Sequence, residues 1–212
     1  MYVPTHFAED RLPVLQDFMR QHPFATLVTL NAGGLVASHL PLLVEEAPAP
    51  NGRLIGHLAR ANNHWRDVDG SVEALAIFGG PHAYVSPSWY ATKAEHGKVV
   101  PTWNYAAVHA YGALRIIEDA AWLRDLVGRL TDRHESGRAH PWKVEDAPAD
   151  YVQTHLKGIV GIELTVQRLE GKWKLSQNRP EKDRIGTERG LMETGDPSAA
   201  AVVALMAETR SR

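Results

Sequence analysis

The chain has 212 residues, 44% of them hydrophobic and 23% charged, with a formal net charge of -2. That content supports a buried core and excludes a disordered chain, while the charge gives no long-range pull on a phosphate backbone and no local basic patch compensates. Cysteine is absent, which removes disulfides, thiolate metal sites and cysteine nucleophiles and fits a reducing cytoplasm. No run approaches the ~20 apolar residues of a membrane span, and the first residues lack a signal-peptide pattern, so a soluble cytoplasmic protein is expected.

The segment "EDRLPVLQDFMRQHP" sets Leu12, Leu15, Phe18 and Met19 at helical spacing with Pro23 just past the end, which predicts an amphipathic helix. In "FATLVTLNAGGLVASHLPLLVEE" two β-branched apolar runs flank Asn31 to Gly34, residue types that accept the positive φ of a tight hairpin. "APAPNG" is a turn, and "RLIGHLA" is a third strand leading into "RANNHWRDV", where an Asn caps a single helical turn. The strand "VEALAIF" follows, and the ring-rich "GPHAYVSPSWY" after it reads as a loop.

Beyond the polar "ATKAEHGK", the stretch "VVPTWNYAAVHAYGALRIIED" suits a long strand curving round a barrel. "DAAWLRDLVGRLTDRHES" carries Trp122, Leu123, Leu126, Val127 and Leu130 along one helical face, with Gly137 as its stop. "IVGIELTVQRLEGKWKLSQN" reads as a second hairpin turning at Glu170 to Lys172, and the tail beyond Pro180 as two helical pieces broken near "GDPS". Antiparallel strands without regular βαβ alternation argue for a mainly β barrel with helical additions. The chain is expected to form one domain over 1–212, with a helical C-terminal extension from about residue 180.

Four polar clusters stand at or after strand ends: "SHLP", "GHLARANNHW", "VPTWNY" and "KLSQNRP". They can meet only at the mouth or groove of a barrel, which is a ligand site by default. A lone histidine on a strand is more often a hydrogen-bonded structural group than a ligand. Arg60, Asn62, Asn63 and His64 together admit two readings, an anion held at a helix start or a solvated turn whose Asn caps it. The 11 histidines include no H-E-x-x-H, and no metal site is expected. G-x-S-x-G, G-x-G-x-x-G after a strand and the Walker pattern are missing too, so nucleophilic hydrolysis and nucleotide folds of those kinds have no support.

"MYVPTHF", "HLARANNHW", "GPHAYVSPSWY", "VPTWNY" and "KLSQNRP", in this order, resemble the PaiB-type FMN-binding proteins, a family labelled negative transcriptional regulators. The resemblance implies an FMN-binding split β-barrel like that of pyridoxamine-phosphate oxidase, and a homodimer with flavin at its interface. It places Ser38 and His39 along the isoalloxazine, His57 near the ribityl chain, and Arg60, Asn62 and His64 near the phosphate. Trp103 and Asn104 would reach across the dimer, and Lys174, Ser176, Gln177 and Asn178 would close the site. His82, Tyr84 and Ser86 would form the rim, with Trp89 packing the dimer. Asn63 departs from the pattern, which has proline there. Two functions compete: a regulator that uses flavin as ligand or redox sensor, and an FMN-dependent NAD(P)H oxidoreductase. DNA reading has no support from charge, and a haem role with His39 or His109 as axial ligand is a weaker third.

Overall fold

The computed structural model describes residues 1–66 and 68–210. Asp67, in the predicted capped turn, and Ser211 and Arg212, in the predicted C-terminal extension, lie outside the described residues. In chain order the elements are β1 (Ala8–Glu9), α1 (Leu12–Gln21), β2 (Phe24–Asn31), β3 (Gly34–Pro41), β4 (Leu43–Glu45), β5 (Arg53–Ala59) and β6 (Ala74–Val85). There follow α2 (Thr92–His96), β7 (Thr102–Ile117), α3 (Ala120–Glu135), α4 (Ala149–Leu156), β8 (Ile159–Lys174), α5 (Glu181–Glu193) and α6 (Pro197–Arg210). The strands form one sheet in the order β3-β2-β6-β7-β8-β5-β4, with β1 added beside β8. Pairing of β2 with β3 and β6, of β5 with β4 and β8, and of β1 with β8 is antiparallel. The fold is therefore mainly antiparallel β with helical additions, as composition and pattern led one to expect.

Two compact units divide the chain. One comprises Met19–Phe78 and Ala110–Leu169. Its hairpin closes Asn31 against Gly34 and runs in register to Phe24 against Pro41. A core of Leu43, Ile55, Leu126 and Leu130, with Trp122 against it, seats α3 on β4 and β5. Asp119 caps α3 by accepting from the Trp122 backbone N–H at 2.7 Å, and the helix ends at Glu135, just ahead of the expected Gly137 stop.

The other unit comprises Met1–Phe18, Gly79–His109 and Glu170–Arg212. Two sequence expectations change within it. The expected hairpin at Glu170 to Lys172 does not form, because β8 runs unbroken for 16 residues and pairs Ala8 with Lys172 and Glu9 with Gly171. Gly171 marks a close approach instead of a turn: a Cβ there would lie 2.3 Å from Leu15 Cδ2 and 2.5 Å from the Glu9 carbonyl oxygen. Likewise the stretch after Phe78 continues β6 as far as Val85. Its backbone is held there by α6, since the Ser198 hydroxyl accepts from the His82 N–H at 3.1 Å and donates to the His82 carbonyl at 2.8 Å. Phe18 and Trp173 pack with ring centroids 4.9 Å apart in the same unit, a contact of about 0.5–1.5 kcal/mol beyond area burial.

Candidate functional site

In the unit containing Met19–Phe78, the end of β5 leads into a single helical turn over Asn63–Trp65. Asn62 caps it, its Oδ1 accepting from the His64 backbone N–H at 3.0 Å. That bond fixes which way the amide faces, so Asn62 Nδ2 donates to Ser38 Oγ at 3.0 Å. Ser38 Oγ also lies 2.8 Å from His64 Nδ1. His64 Nε2 lies 2.7 Å from Thr29 Oγ1, so each nitrogen of the ring has a hydroxyl partner and in the neutral imidazole one donates and the other accepts. His64 is buried, and burial pushes its pKa below the usual histidine value, in keeping with the neutral form. Ser38, Asn62 and His64 are thus brought together in a network whose hydrogen bonds are satisfied.

His39 points the other way, because successive residues of a strand face opposite sides. Its Nδ1 lies 3.0 Å from Thr26 Oγ1 and its ring stacks on Phe24 with centroids 6.2 Å apart. Phe24 is 67% exposed and Leu35 is 79% exposed, so this outward face of the hairpin carries an apolar strip open to solvent.

Arg60 is occupied elsewhere. Its Nε donates to the Lys157 carbonyl at 3.0 Å, its Nη2 to the Ile159 carbonyl at 3.2 Å, and its Nη1 pairs with Glu118. A phosphate would have to compete with Glu118 for the one remaining edge of the guanidinium. His57 lines a cavity of about 290 Å³ with Val127, Trp142, Tyr151, His155 and Leu156. Its Nδ1 is buried without a partner, and burial lowers its pKa.

The unit that begins at Met1 holds the remaining expected residues. Asn104 is fully buried, and its Nδ2 donates to Ser176 Oγ at 3.0 Å. Ser176 is the one non-glycine residue with positive φ among the described residues, at 66°. The Lys174 ammonium donates to Thr102 Oγ1 and to the Trp103 carbonyl. Gln177 folds onto its own turn, accepting from the Leu175 N–H at 2.7 Å and donating to the Trp173 carbonyl at 2.6 Å. Asn178 is exposed and borders a small cavity that Thr102, Asn104, Lys174 and Ser176 also line. Arg179 lines it too; it belongs to "KLSQNRP" but is not among the site residues expected from the sequence.

A larger cavity of about 400 Å³ in the same unit is lined by His82, Tyr84, Ser86, Trp89, Trp103 and Leu191. Tyr84 and Trp103 are about half exposed, and their ring centroids are 6.2 Å apart. Trp89 is seated on α5 of its own chain, where a Cβ on Gly190 would lie 2.2 Å from its indole and one on Gly186 would lie 2.0 Å from its carbonyl oxygen. The signal was legible: glycines four apart on a helix clear a slot for a close neighbour.

Residues 1–168 match a family model described as "Putative FMN-binding domain". Over 206 residues the chain is 34% identical to the "Protease synthase and sporulation protein PAI 2" of Bacillus subtilis, covering 97% of this chain and 96% of that one. An uncharacterized protein of Emericella nidulans is 33% identical over 98% of this chain and 97% of its own. Among solved structures, the flavocytochrome Anf3 of Azotobacter vinelandii superposes with a TM-score of 0.58 at 13% identity, over 81% of this chain and 72% of that one. That likeness concerns fold alone and agrees with the split-barrel architecture. The family match, the near full-length similarity to the Bacillus subtilis protein and the mainly antiparallel sheet agree, and the chain belongs to the PaiB-type family of FMN-binding split-barrel proteins.

Proposed function

We propose that the protein binds FMN against the outward face of the β2–β3 hairpin and acts as a regulator that uses the flavin as ligand or redox sensor. The observation that carries this reading is that face itself. Phe24, Leu35 and His39 stand exposed in one strip, and Thr26 holds the imidazole in place against Phe24. Exposed apolar side chains on one strand face offer a place for something to cover, and a flat ring system suits a flat strand face with one polar group beside it. When bound, FMN supplies one- and two-electron redox chemistry. The chain's own part is to bind and orient: His39 and Phe24 offer stacking surface, and the satisfied network of Ser38, Asn62 and His64 keeps β3 rigid behind it.

Exposed rings at Tyr84 and Trp103 support a homodimer, in which a second copy covers them and brings its own Asn104 and Lys174–Asn178 segment towards the flavin. The near-neutral charge argues that regulation runs through a protein partner or through redox state in the cytoplasm, without direct DNA reading. The regulatory part also draws on the printed name of the Bacillus subtilis relative, which refers to protease synthesis and sporulation.

The test is a flavin titration of the purified protein followed by absorbance and tryptophan fluorescence, repeated with Phe24→Ala, His39→Ala and Arg60→Gln. Saturation near one FMN per chain, weakened at least tenfold by the first two variants, is the expected result. Wild-type affinity in both removes the hairpin face from the site. Multiple-turnover oxidation of NADH or NADPH by the loaded protein would replace the regulator with an oxidoreductase.

A further inference from the structure

We infer that the small cavity between Thr102, Asn104, Lys174, Ser176 and Arg179 is a binding site for a small oxyanion, the phosphate or carboxylate group of a solute. Its volume is about 90 Å³, well under the ~300–1,000 Å³ of pockets that take drug-sized ligands, so a flavin ring does not fit while a single charged head group does.

The charges around it are out of balance. Lys174 is held by two neutral acceptors, Thr102 Oγ1 and the Trp103 carbonyl, which leaves one of its three N–H donors unassigned. Arg179 rests over the Tyr90 ring at 4.7 Å. Among the described residues neither cation forms an ion pair. The carboxylate in the electrostatic reach of Arg179 is Asp183, and both its oxygens are taken by Thr92, at 3.0 Å from the backbone N–H and 2.7 Å from the hydroxyl. Lys172, close by, donates to the Tyr2 carbonyl at 2.9 Å and lies over the rings of Tyr2 and Tyr105. Burial, then the charges of Lys172 and Arg179, push the Lys174 ammonium below its usual pKa, as expected of a crowded cation without a counter-charge.

The neutral partners are placed with unusual care. Asn104 is fully buried and its amide engages Ser176, which the backbone holds in the left-handed region at a cost of about 1–2 kcal/mol for a residue with a side chain. Strain of that kind persists where surrounding structure needs the side chain at one spot. An oxyanion completes the arrangement: Lys174 and Arg179 donate to it, and hydroxyl and amide groups line the wall together with Phe7. Three of the five groups lie after residue 168, beyond the stretch that matches the family model, and the site rests on the flavin reading only where its occupant is the flavin's own phosphate.

The experiment is equilibrium dialysis of flavin-free protein with radiolabelled inorganic phosphate at low ionic strength. Wild type should bind about one phosphate per chain at millimolar concentration. Lys174→Gln and Arg179→Gln should each weaken binding at least tenfold, whereas Lys182→Gln, an exposed lysine paired with Glu95, should not. Thermal melts check that the variants fold, and Lys174→Arg should restore binding in part. Competition separates the sources: phosphate that displaces FMN but not riboflavin identifies the flavin's own phosphate as occupant, and phosphate bound independently of FMN identifies a free solute. Both results support the site. No phosphate binding by wild type, or equal binding by both charge-removing variants, overturns it, and either result can be read whether or not flavin binds.

Discussion

Two polar clusters of this chain, one around His64 and one around Lys174, are built from similar residue types and end in opposite states. Around His64 each polar side chain has a neutral partner: Asn62 with Ser38, Ser38 with the imidazole, the imidazole with Thr29. The partners are neutral and paired, so the cluster works as an internal brace for β3. Around Lys174 the hydrogen bonds are also good, yet two cations have no carboxylate. A closed network stabilises the fold it sits in, while an unbalanced one reserves its interaction energy for something that arrives later.

The largest expected effect breaks the closed side of that contrast. His64→Ala strands the hydroxyls of Thr29 and Ser38 and opens a void, so urea unfolding should show a loss of about 2–4 kcal/mol. A loss below about 1 kcal/mol would mean that the network is not a brace. The next effect is a pH dependence. His22, His57, His64 and His109 all have pKa values lowered chiefly by burial, so they fold neutral and the unfolded chain binds protons first as pH falls. Stability from these groups is fully present above about pH 6.5 and declines below it until the folded values are passed. Urea midpoints should therefore fall between about pH 7.5 and pH 5.5, and less steeply in His64→Gln. A flat profile contradicts the burial of these rings as neutral species.

On the open side the effects are smaller. Ser176→Ala and Ser176→Gly lose the same hydroxyl but differ in backbone freedom at a φ of 66°, so the glycine variant should be the more stable by about 1 kcal/mol. The reverse order would show that the backbone at residue 176 is not strained. Smallest of all, Lys174→Gln should shift unfolding by about 1 kcal/mol or less in either direction, since relief of charge crowding offsets the lost hydrogen bonds. A loss as large as that of His64→Ala would place the ammonium among the structural groups and erase the distinction.

The two clusters also differ in how far the sequence disclosed them. The Asn62 cap and the hairpin at Asn31 to Gly34 were legible because each depends on residues a few positions apart. The helix α3 was legible for the same reason, through its apolar face. Gly171 misled because a glycine between Glu170 and Lys172 has the composition of a turn, and only the approach of Leu15 and Glu9 shows why no side chain is tolerated. The contacts of Arg60, which the resemblance sets near the phosphate, were not visible because Lys157, Glu118 and Ile159 are distant in sequence. Arg179 was passed over within a quoted motif, since its importance rests on Thr102 and Asn104, brought to it by folding. Local chemistry is visible in a window of residues; which charges stay uncompensated is not.

The strands β6, β7 and β8 each contribute residues to both compact units, and neither unit is a continuous stretch of chain. The portion shared with the family model, residues 1–168, therefore cannot be moved between proteins as a cassette. A fragment ending there would retain Met1–Phe18 and Gly79–His109 but lack the last residues of β8, which pair with β1, and both closing helices. Any replacement of the C-terminal segment must supply a new partner for β1 at the same moment, which ties the inheritance of the segment carrying Lys174 and Arg179 to that of the sheet.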